Sequence, residues 1–396
     1  MGLDRVAEVR DRLGLLPTFP LITVGGTNGK GSVCAYLEAI LTAAGYRVGC
    51  YTSPHLLRYN ERVHLDGREA TDAELCAAMD AVEAARGDIT LTYFEHGTLA
   101  AMWLFQRAEV EVAVLEVGLG GRLDAVNVWD ADCSVVTSVD LDHQQFLGNT
   151  REAIGFEKAG IYRQNRPAIC GDVNPPASLL AHAADVGALL YRVGTDIHIQ
   201  LSETSWLCRV GDDVFSALPR LAMPGHHQYT NAAAALAALW TLSQRLPVNL
   251  KAMRAGLTLA RQPGRFQVVG QHPLRILDVA HNPHAARALA ANLADLPPGG
   301  RVIAVCAMLA DKDVAAVVRT LRPYVQFWHV AGLALARGLD AAGMERFLQA
   351  AECDFSSHAS VREAWHAACL QAGPADTILA FGSFHTVAEV MVELNG

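Results

Sequence analysis

Leu21-Ile22-Thr23-Val24-Gly25-Gly26-Thr27-Asn28-Gly29-Lys30-Gly31-Ser32 is the stretch whose reading decides the fold. An apolar run enters a glycine-rich turn, and an Ala- and Leu-rich helical stretch, Ser32–Ala44, follows. Glycines let a backbone bend sharply and approach an anion closely. The N–H groups of such a turn point inward, and the helix that follows adds positive dipole character at its start. Lys30 then supplies a point charge for terminal phosphates. The fit to the general pattern GxxxxGK[ST] is imperfect, because Val24 stands where the first glycine belongs and Gly31 follows the lysine. An ordinary strand-to-helix turn carrying a chance lysine is the competing reading. The strand before and the helix after favour a phosphate loop, with Thr27, Asn28, Gly29, Lys30, Gly31 and Ser32 as its nucleotide-binding residues.

Working outward, short apolar runs alternate with helical stretches. Leu21–Val24, Arg47–Tyr51, Val110–Val117 and Cys133–Val139 read as strands. Ser32–Ala44, Asp72–Ala85, Phe94–Arg107 and Thr150–Gly160 read as helices between them. This alternation predicts a mostly parallel sheet with helices on its faces, and the near-continuous apolar strands suit a sheet buried on both sides. Thr195–Val214 is more polar and predicts a small antiparallel excursion, followed by a helix over Asn231–Leu246. A turn-rich break at Arg261–Arg265 precedes a second series of strands, Arg275–Asp278, Val302–Met308, Phe327–Ala331 and Thr377–Phe381. The expected division is a phosphate-binding α/β domain over 1–262, a linker over 263–269 and a smaller Rossmann-like α/β domain over 270–396.

In open parallel sheets, ligands bind beyond the carboxyl ends of the strands. Here those ends carry reactive groups: Ser53 and His55 after the second strand, Glu116 at the end of the third, and Asp140, Asp142 and His143 after the fourth. With Lys30 they make an arrangement able to hold Mg²⁺ beside a nucleotide triphosphate. A carboxylate after five apolar residues, as at Glu116, must be solvated, paired or a ligand. His143 and Ser53 taken singly are equally compatible with structural roles. Lys158, in Glu157-Lys158-Ala159-Gly160, reads on spacing alone as a lysine near a helix end with a glycine cap. Gly118-Leu119-Gly120-Gly121 follows an apolar run, but its third glycine is misplaced for a dinucleotide fingerprint and no clear helix follows. In the second half Asp278, His281, Asn282 and His284 cluster after a strand. A helix cap explains Asn282 and Pro283 but not the histidines. Gly382–Thr386 closes the last strand in the same manner, so both domains offer strand-end polar clusters to one substrate.

Composition narrows the function. The 396 residues are 51% hydrophobic and 18% charged, enough for a sizeable core. A net charge of −9 argues against a nucleic-acid binder that works by long-range attraction to phosphates. No apolar run approaches the ~18–20 residues of a membrane span, and the charged start shows no signal-peptide pattern. Gly2 would suit myristoylation, but Val6 stands where Ser or Thr is wanted. Nine cysteines, with no CxxC pair, read as buried thiols of a cytoplasmic protein.

Ten motifs occur in order: GTNGKGS (26–32), YTSPHL (51–56), TYFEHGTLAA (92–101), LEVGLGGRLDA (115–125), SVDLDH (138–143), EKAGI (157–161), PGRF (263–266), DVAHNPHA (278–285), DKD (311–313) and GSFHTV (382–387). In these the chain resembles the bacterial bifunctional dihydrofolate synthase/folylpolyglutamate synthases of the Mur ligase superfamily. The resemblance implies a phosphate-loop ATPase domain of Mur ligase type and a C-terminal Mur-type domain. It implies ATP-dependent addition of L-glutamate to dihydropteroate and to the γ-carboxylate of reduced folates, through an acyl phosphate. ATP would be the co-substrate with Mg²⁺, and the family pattern allows a second divalent or monovalent cation. Ser53, Glu116 and His143 match metal ligands, and Lys158 matches a lysine carried as a carbamate, an oxygen anion counted in the same metal set, which displaces the capping reading. Lys30, Lys158 and His143 are thereby the expected catalytic residues. Asn231, Arg265, Asp278 and His281 match positions at ATP. Thr92, Tyr93, Phe94 and Glu95, with Leu123, Asp124 and Ala125, match the surroundings of the pterin, where Phe94 could stack on the ring. A carbamate needs a lysine that can be neutral, so burial or nearby cations must lower its pKa.

The resembling proteins place a helical segment before a Gly-Leu-x-Arg stretch, whereas this chain opens at Met1-Gly2-Leu3-Asp4-Arg5, inside it. The expectation is either a truncated chain or a differently built pterin pocket, bearing more on dihydropteroate than on polyglutamylation. The rivals are polyglutamylation alone, a Mur-type peptidoglycan amino-acid ligase, for whose N-terminal sugar-nucleotide domain a loop at residue 26 leaves no room, and a non-catalytic nucleotide switch. Small-molecule substrates, a monomer, and no nucleic-acid or membrane partner complete the reading.

Overall fold

The computed structural model describes residues 2–297 and 299–395. Contacts divide them into two units. One comprises the residues up to Ala222 with His227–Arg261, and the other comprises Met223–His226 with the residues from Gln262 onward.

The first unit is built on an eight-stranded sheet. Its strands are β1 (Leu21–Gly25), β2 (Val48–Tyr51), β3 (Val63–Leu65), β4 (Arg68–Glu69), β5 (Val112–Glu116), β6 (Cys133–Val136), β7 (Pro167–Cys170) and β8 (Leu189–Arg192), in the order β4-β3-β2-β5-β1-β6-β7-β8. Pairing is parallel from β2 through β8, and only β3 and β4 run antiparallel at one edge. β1, β5 and β6 are buried along their whole lengths, as their uninterrupted apolar sequences require of central strands. Val24 lies opposite both Glu116 and Val135. The chain leaves β1 toward one side of the sheet and later returns to the other. The loop after β1 therefore sits at the switch point where such sheets bind ligands.

Helices cover the sheet: α1 (Asp4–Arg12), α2 (Lys30–Ala43), α3 (Asp72–Arg86), α4 (Tyr93–Arg107), α5 (Gln144–Leu147), α6 (Arg151–Ala159), α7 (Ala177–Asp185), α8 (His226–Thr241) and α9 (Leu250–Leu259). Val6 and Val9 of α1 are fully buried in the same core as Leu99 and Phe105 of α4. Thr71 and Thr92 cap α3 and α4 by accepting the N–H groups of Glu74 and Glu95 in capping boxes. The antiparallel excursion is a three-stranded sheet of β9 (Ile197–Leu201), β10 (Ser205–Val210) and β11 (Asp213–Pro219). Two boundaries need correction. The helix expected from Asn231 begins at His226, directly after Pro224-Gly225, and ends at Thr241 instead of Leu246. The fourth strand stops at Val136 because Thr137 and Ser138 turn to hold the loop after β1.

The second unit holds a six-stranded sheet in the order β12-β13-β17-β14-β15-β16, with β12 (Gln267–Gln271) antiparallel at the edge and the rest parallel. β13 (Leu274–Asp278), β14 (Val302–Cys306), β15 (Phe327–Ala331) and β17 (Thr377–Phe381) are the strands expected from sequence, and β16 is Phe355–His358. Asn282 accepts the N–H of Ala285 and caps α10 (Pro283–Ala294), with Pro283 in its first turn. The cysteines are all free, and six of the nine are buried. No helix among the described residues is long and apolar enough to cross a membrane.

Candidate functional site

The loop from Gly26 to Lys30 is held from outside by Thr137 and Ser138, which follow β6. Thr137 Oγ1 and Ser138 Oγ donate to the carbonyl of Asn28 at 2.6 and 3.0 Å, and Thr27 N donates to Ser138 O at 2.7 Å. Gly29 is left-handed, φ 91°, and caps α2. A Cβ there would lie 2.5 Å from Asn231 Oδ1, and one at Gly26 would lie 1.9 Å from Thr137 Oγ1. Both positions thus require glycine by conformation and by space. Lys30 Nζ donates to the carbonyls of Gly26 and Thr27 at 3.1 and 3.3 Å, which keeps the ammonium inside the curve of the loop. Asn231 Nδ2 donates to Gln228 Oε1, and Gln228 Nε2 reaches Ser32 Oγ at 3.3 Å. Gln228, one turn before Asn231 on α8, is 2% exposed. Nothing in the sequence singled it out, since only folding brings α8 to the start of α2.

The loop forms one wall of a cleft of about 300 Å³, mouth included, lined by Gly26, Thr27, Lys30, Val117–Gly120, Asp142, His143, Leu147 and Lys158. It therefore brings together the three expected catalytic residues, Lys30, His143 and Lys158. Lys158 is 4% exposed. Burial, reinforced by the positive charge of Lys30, lowers its ammonium from the usual 10.5 to about 7, and Asp142 and Asp124 oppose that shift. His143 precedes α5 in a left-handed conformation, φ 51°, uncommon for a residue with a Cβ, and its N–H donates to Asp142 Oδ1.

Ser53 and Glu116 form a separate pair: Ser53 N donates to Glu116 Oε2 at 3.0 Å, and neither is among the residues lining the cleft. Glu116 is a buried carboxylate at the end of β5. Among the described residues no three His, Cys, Asp or Glu side chains gather as a metal cage. Ser53 Oγ and the Glu116 carboxylate are hard oxygen donors of the kind Mg²⁺ prefers. That ion keeps waters and substrate phosphates in its shell and takes only one or two protein carboxylates.

Thr92–Glu95 opens α4. Glu95 accepts the N–H of Thr92 at 2.7 Å, and both its oxygens lie 3.2 Å from Arg5 Nη2. The start of the chain thus reaches the segment matched to the pterin, a contact the motifs did not show. Tyr93 is 64% exposed. The Phe94 ring leans on Tyr51, and a Cβ at Gly118 would come within 2.6 Å of it. Asp124 accepts N–H bonds from Leu119 and Val126. Burial pushes its carboxyl up to about 7 against the pull of those donors. Leu123 precedes it, and Ala125, buried, begins a short 3₁₀ turn.

In the second unit Asp278 accepts N–H bonds from Phe266 and Ala280, both at 2.8 Å. Burial raises its carboxyl pKa, and Arg265 opposes that most strongly. The Arg265 guanidinium lies over the Phe384 ring. His281 Nδ1 sits 2.8 Å from the Val279 carbonyl, which makes Nδ1 the protonated nitrogen. Arg265, Asp278 and His281 thus share one strand end within this unit.

Residues 24–239 match the family of the Mur ligase middle domain, and residues 264–384 match that of the Mur ligase, glutamate ligase domain. Phosphate loop, cleft and second α/β unit are those of a Mur-type ligase. The chain is 48% identical over 392 residues to the dihydrofolate synthase/folylpolyglutamate synthase of Escherichia coli strain K12, which covers 99% of this chain and 90% of that protein. The structure of E. coli FolC in complex with DHPP and ADP superposes with a TM-score of 0.95 at 47% identity, covering 100% of this chain and 93% of that one. A bifunctional folylpolyglutamate synthase/dihydrofolate synthase from Yersinia pestis, complexed with AMPPNP and Mn ion, gives 0.94 at 46% identity, covering 100% and 94%. The chain belongs to the dihydrofolate synthase/folylpolyglutamate synthase family.

Proposed function

We propose that this protein joins L-glutamate to dihydropteroate and to the γ-carboxylate of reduced folates, converting ATP to ADP and phosphate. The observation that carries this reading is the cleft in which Lys30, His143 and Lys158 meet at the phosphate loop, in a chain that spans 90% of the dihydrofolate synthase/folylpolyglutamate synthase of Escherichia coli. The acceptor carboxylate attacks the γ-phosphorus and ADP leaves. The amine of glutamate then attacks the acyl carbon, a proton is lost, and phosphate departs from the tetrahedral intermediate. Phosphoryl transfer of this kind needs position and neutralised charge above all. In this reading Thr27–Ser32 cradle the phosphates, Lys30 neutralises them, and Asn231 contacts the nucleotide. Arg265, Asp278 and His281 are further nucleotide-contacting residues of this reading. Ser53, Glu116 and His143 would hold Mg²⁺, which supplies charge neutralisation at the phosphate oxygens when bound. Thr92–Glu95 and Leu123–Ala125 surround the pterin.

Lys158 is carried as a carbamate in the same reading. A lysine near 7 keeps a large neutral fraction at physiological pH. Its nitrogen adds to CO₂, releases a proton and becomes an anionic oxygen donor. The protein acts on small molecules as a monomer in the cytoplasm. Phosphate release with ATP, Mg²⁺ and L-glutamate, with dihydropteroate and tetrahydrofolate in separate wells, tests the function. Release with both is expected. Release with tetrahydrofolate alone would reduce the activity to polyglutamylation, and release with neither would overturn the assignment.

A further inference from the structure

Two lysine or arginine side chains are buried among the described residues: Lys158, at the cleft, and Arg62, 8% exposed, which the function above does not use. Arg62 ends the short turn between β2 and β3 and pairs with Thr52 through its carbonyl. Its Nε donates to His55 Nδ1 at 2.8 Å. The rings of Tyr59 and Tyr93 flank its guanidinium, with centroids 5.4 and 5.3 Å away. Tyr59 is itself seated: a Cβ at Gly97 would come within 2.2 Å of its hydroxyl. No carboxylate among the described residues pairs with Arg62. The adjacent Glu61 is committed to the backbone N–H groups of Leu56, Leu57 and Arg58, at 2.6, 2.7 and 2.8 Å. Four guanidinium N–H donors are left without an acceptor among the described residues, and they are not sealed from solvent.

A buried cation without an anion is costly, and two aromatic faces offset only part of that. A guanidinium fork held at Nε and open at both Nη groups matches a carboxylate in bidentate geometry. The fork borders Tyr93, which lies in the segment matched to the pterin, and its backbone pairs with the residue before Ser53. We propose that Arg62 receives the α-carboxylate of the terminal glutamate of a folyl acceptor. This rests on the ligase reading and adds a specificity determinant to it. The reacting carboxylate must keep its electron pair for phosphorus, so a strong cation fork suits the spectator carboxylate. A folyl acceptor has such a group beside its γ-carboxylate, whereas dihydropteroate has a single carboxylate, the one that reacts.

The test is steady-state kinetics of Arg62→Gln and Arg62→Lys with both acceptors, alongside tetrahydrofolate carrying an α-carboxamide. The ratio of kcat/KM for tetrahydrofolate to that for dihydropteroate should fall about ten- to a hundredfold in Arg62→Gln, through KM, as loss of a charge-assisted bidentate contact requires. Arg62→Lys should recover part of it. The α-carboxamide should cost the unaltered protein a similar factor and the Arg62→Gln variant almost nothing further. The carboxamide arm on unaltered protein keeps the test informative if the variants unfold, because an undiminished kcat/KM there refutes the inference by itself. Equal losses with both acceptors, a rise confined to the KM for L-glutamate, or fully multiplicative losses would also overturn it. Turnover of neither acceptor by the unaltered protein would instead strike the ligase reading, and the inference with it.

Discussion

Replacing Lys158 with methionine should stabilise the first unit while abolishing turnover. The lysine is 4% exposed, and burial together with Lys30 holds its ammonium near 7 instead of 10.5. Each tenfold change in proton affinity is worth about 1.4 kcal/mol, which bounds the cost of the charged form at roughly 5 kcal/mol. Water in the cleft and local relaxation reduce that bound. Exchanging a buried charge for an apolar side chain of similar volume gains about 1–4 kcal/mol in comparable cases. The pH dependence has a definite sign. Between about 7 and 10.5 the unfolded chain holds the lysine proton while the folded chain has released it, so stability rises with pH across that window. The cost is complete below 7 and gone above 10.5. The advantage of Lys158→Met should therefore be largest near pH ~6 and shrink toward pH ~9. Urea unfolding in CO₂-free buffer at those two pH values, followed by circular dichroism, measures it. Added bicarbonate at the higher pH should stabilise the unaltered protein and leave the variant unchanged, because only the lysine can form a carbamate. A variant no more stable than the parent near pH 6, or a stability difference flat across the two pH values, would refute the assignment of a buried, destabilised lysine.

Lys30→Ala should lower kcat at least about a thousandfold, as expected for loss of a preorganised charge at a transferring phosphate, with the cooperative thermal transition retained. Since Lys30 also depresses the Lys158 pKa, the same variant should move the Lys158 pKa back toward the ordinary lysine range, readable by the pH dependence of stability. Gly29→Ala places a Cβ 2.5 Å from Asn231 Oδ1 at a φ of 91°, combining strain of about 1–3 kcal/mol with displacement of the asparagine. ATP affinity by calorimetry should drop at least about tenfold, which is what 1.4 kcal/mol amounts to. Unaltered affinity would remove Asn231 and Gly29 from the nucleotide site.

How much of this was legible depends on whether a feature is local. The loop from Gly26 to Ser32 declares itself because strand, glycines, lysine and helix are contiguous. Glu116 is legible because a carboxylate closing an apolar strand is too costly to bury unless it is paired or ligates something. The supports of the same site are not. Thr137 and Ser138 read as the tail of a strand, and only the parallel pairing of β6 with β1 brings them to the Asn28 carbonyl. Gln228 lies outside the helix expected from Asn231 onward, since the polar run His226–Thr230 hides the true start. The strands that sequence alone does not reveal, among them β3, β4, β12 and β16, are short or lie toward sheet edges, where neither continuous apolarity nor strict alternation is required. Lys158 shows the same limit: its motif suggested a role, but its spacing argued for a helix end, and only its burial beside Lys30 gives the lowered pKa.

Arg62 shows why a buried cation is informative where an exposed one is not. Exposed arginines here pair opportunistically, as Arg68 does with Glu74 and Arg58 with Glu69, and such pairs contribute little. Lys158 and Arg62 are different, since each is buried without an ion pair to a carboxylate among the described residues. For Lys158 the cost appears as a lowered pKa and is resolved when the lysine sheds its proton. Arginine has no such escape, because its guanidinium stays charged at any pH a protein survives. In the proposal above, the charge of Arg62 is met by an anion that comes and goes, the α-carboxylate of a folyl acceptor. The two buried cations thus point at opposite answers to one electrostatic problem: the lysine gives up its charge and can become an anion, while the arginine keeps its charge and selects one.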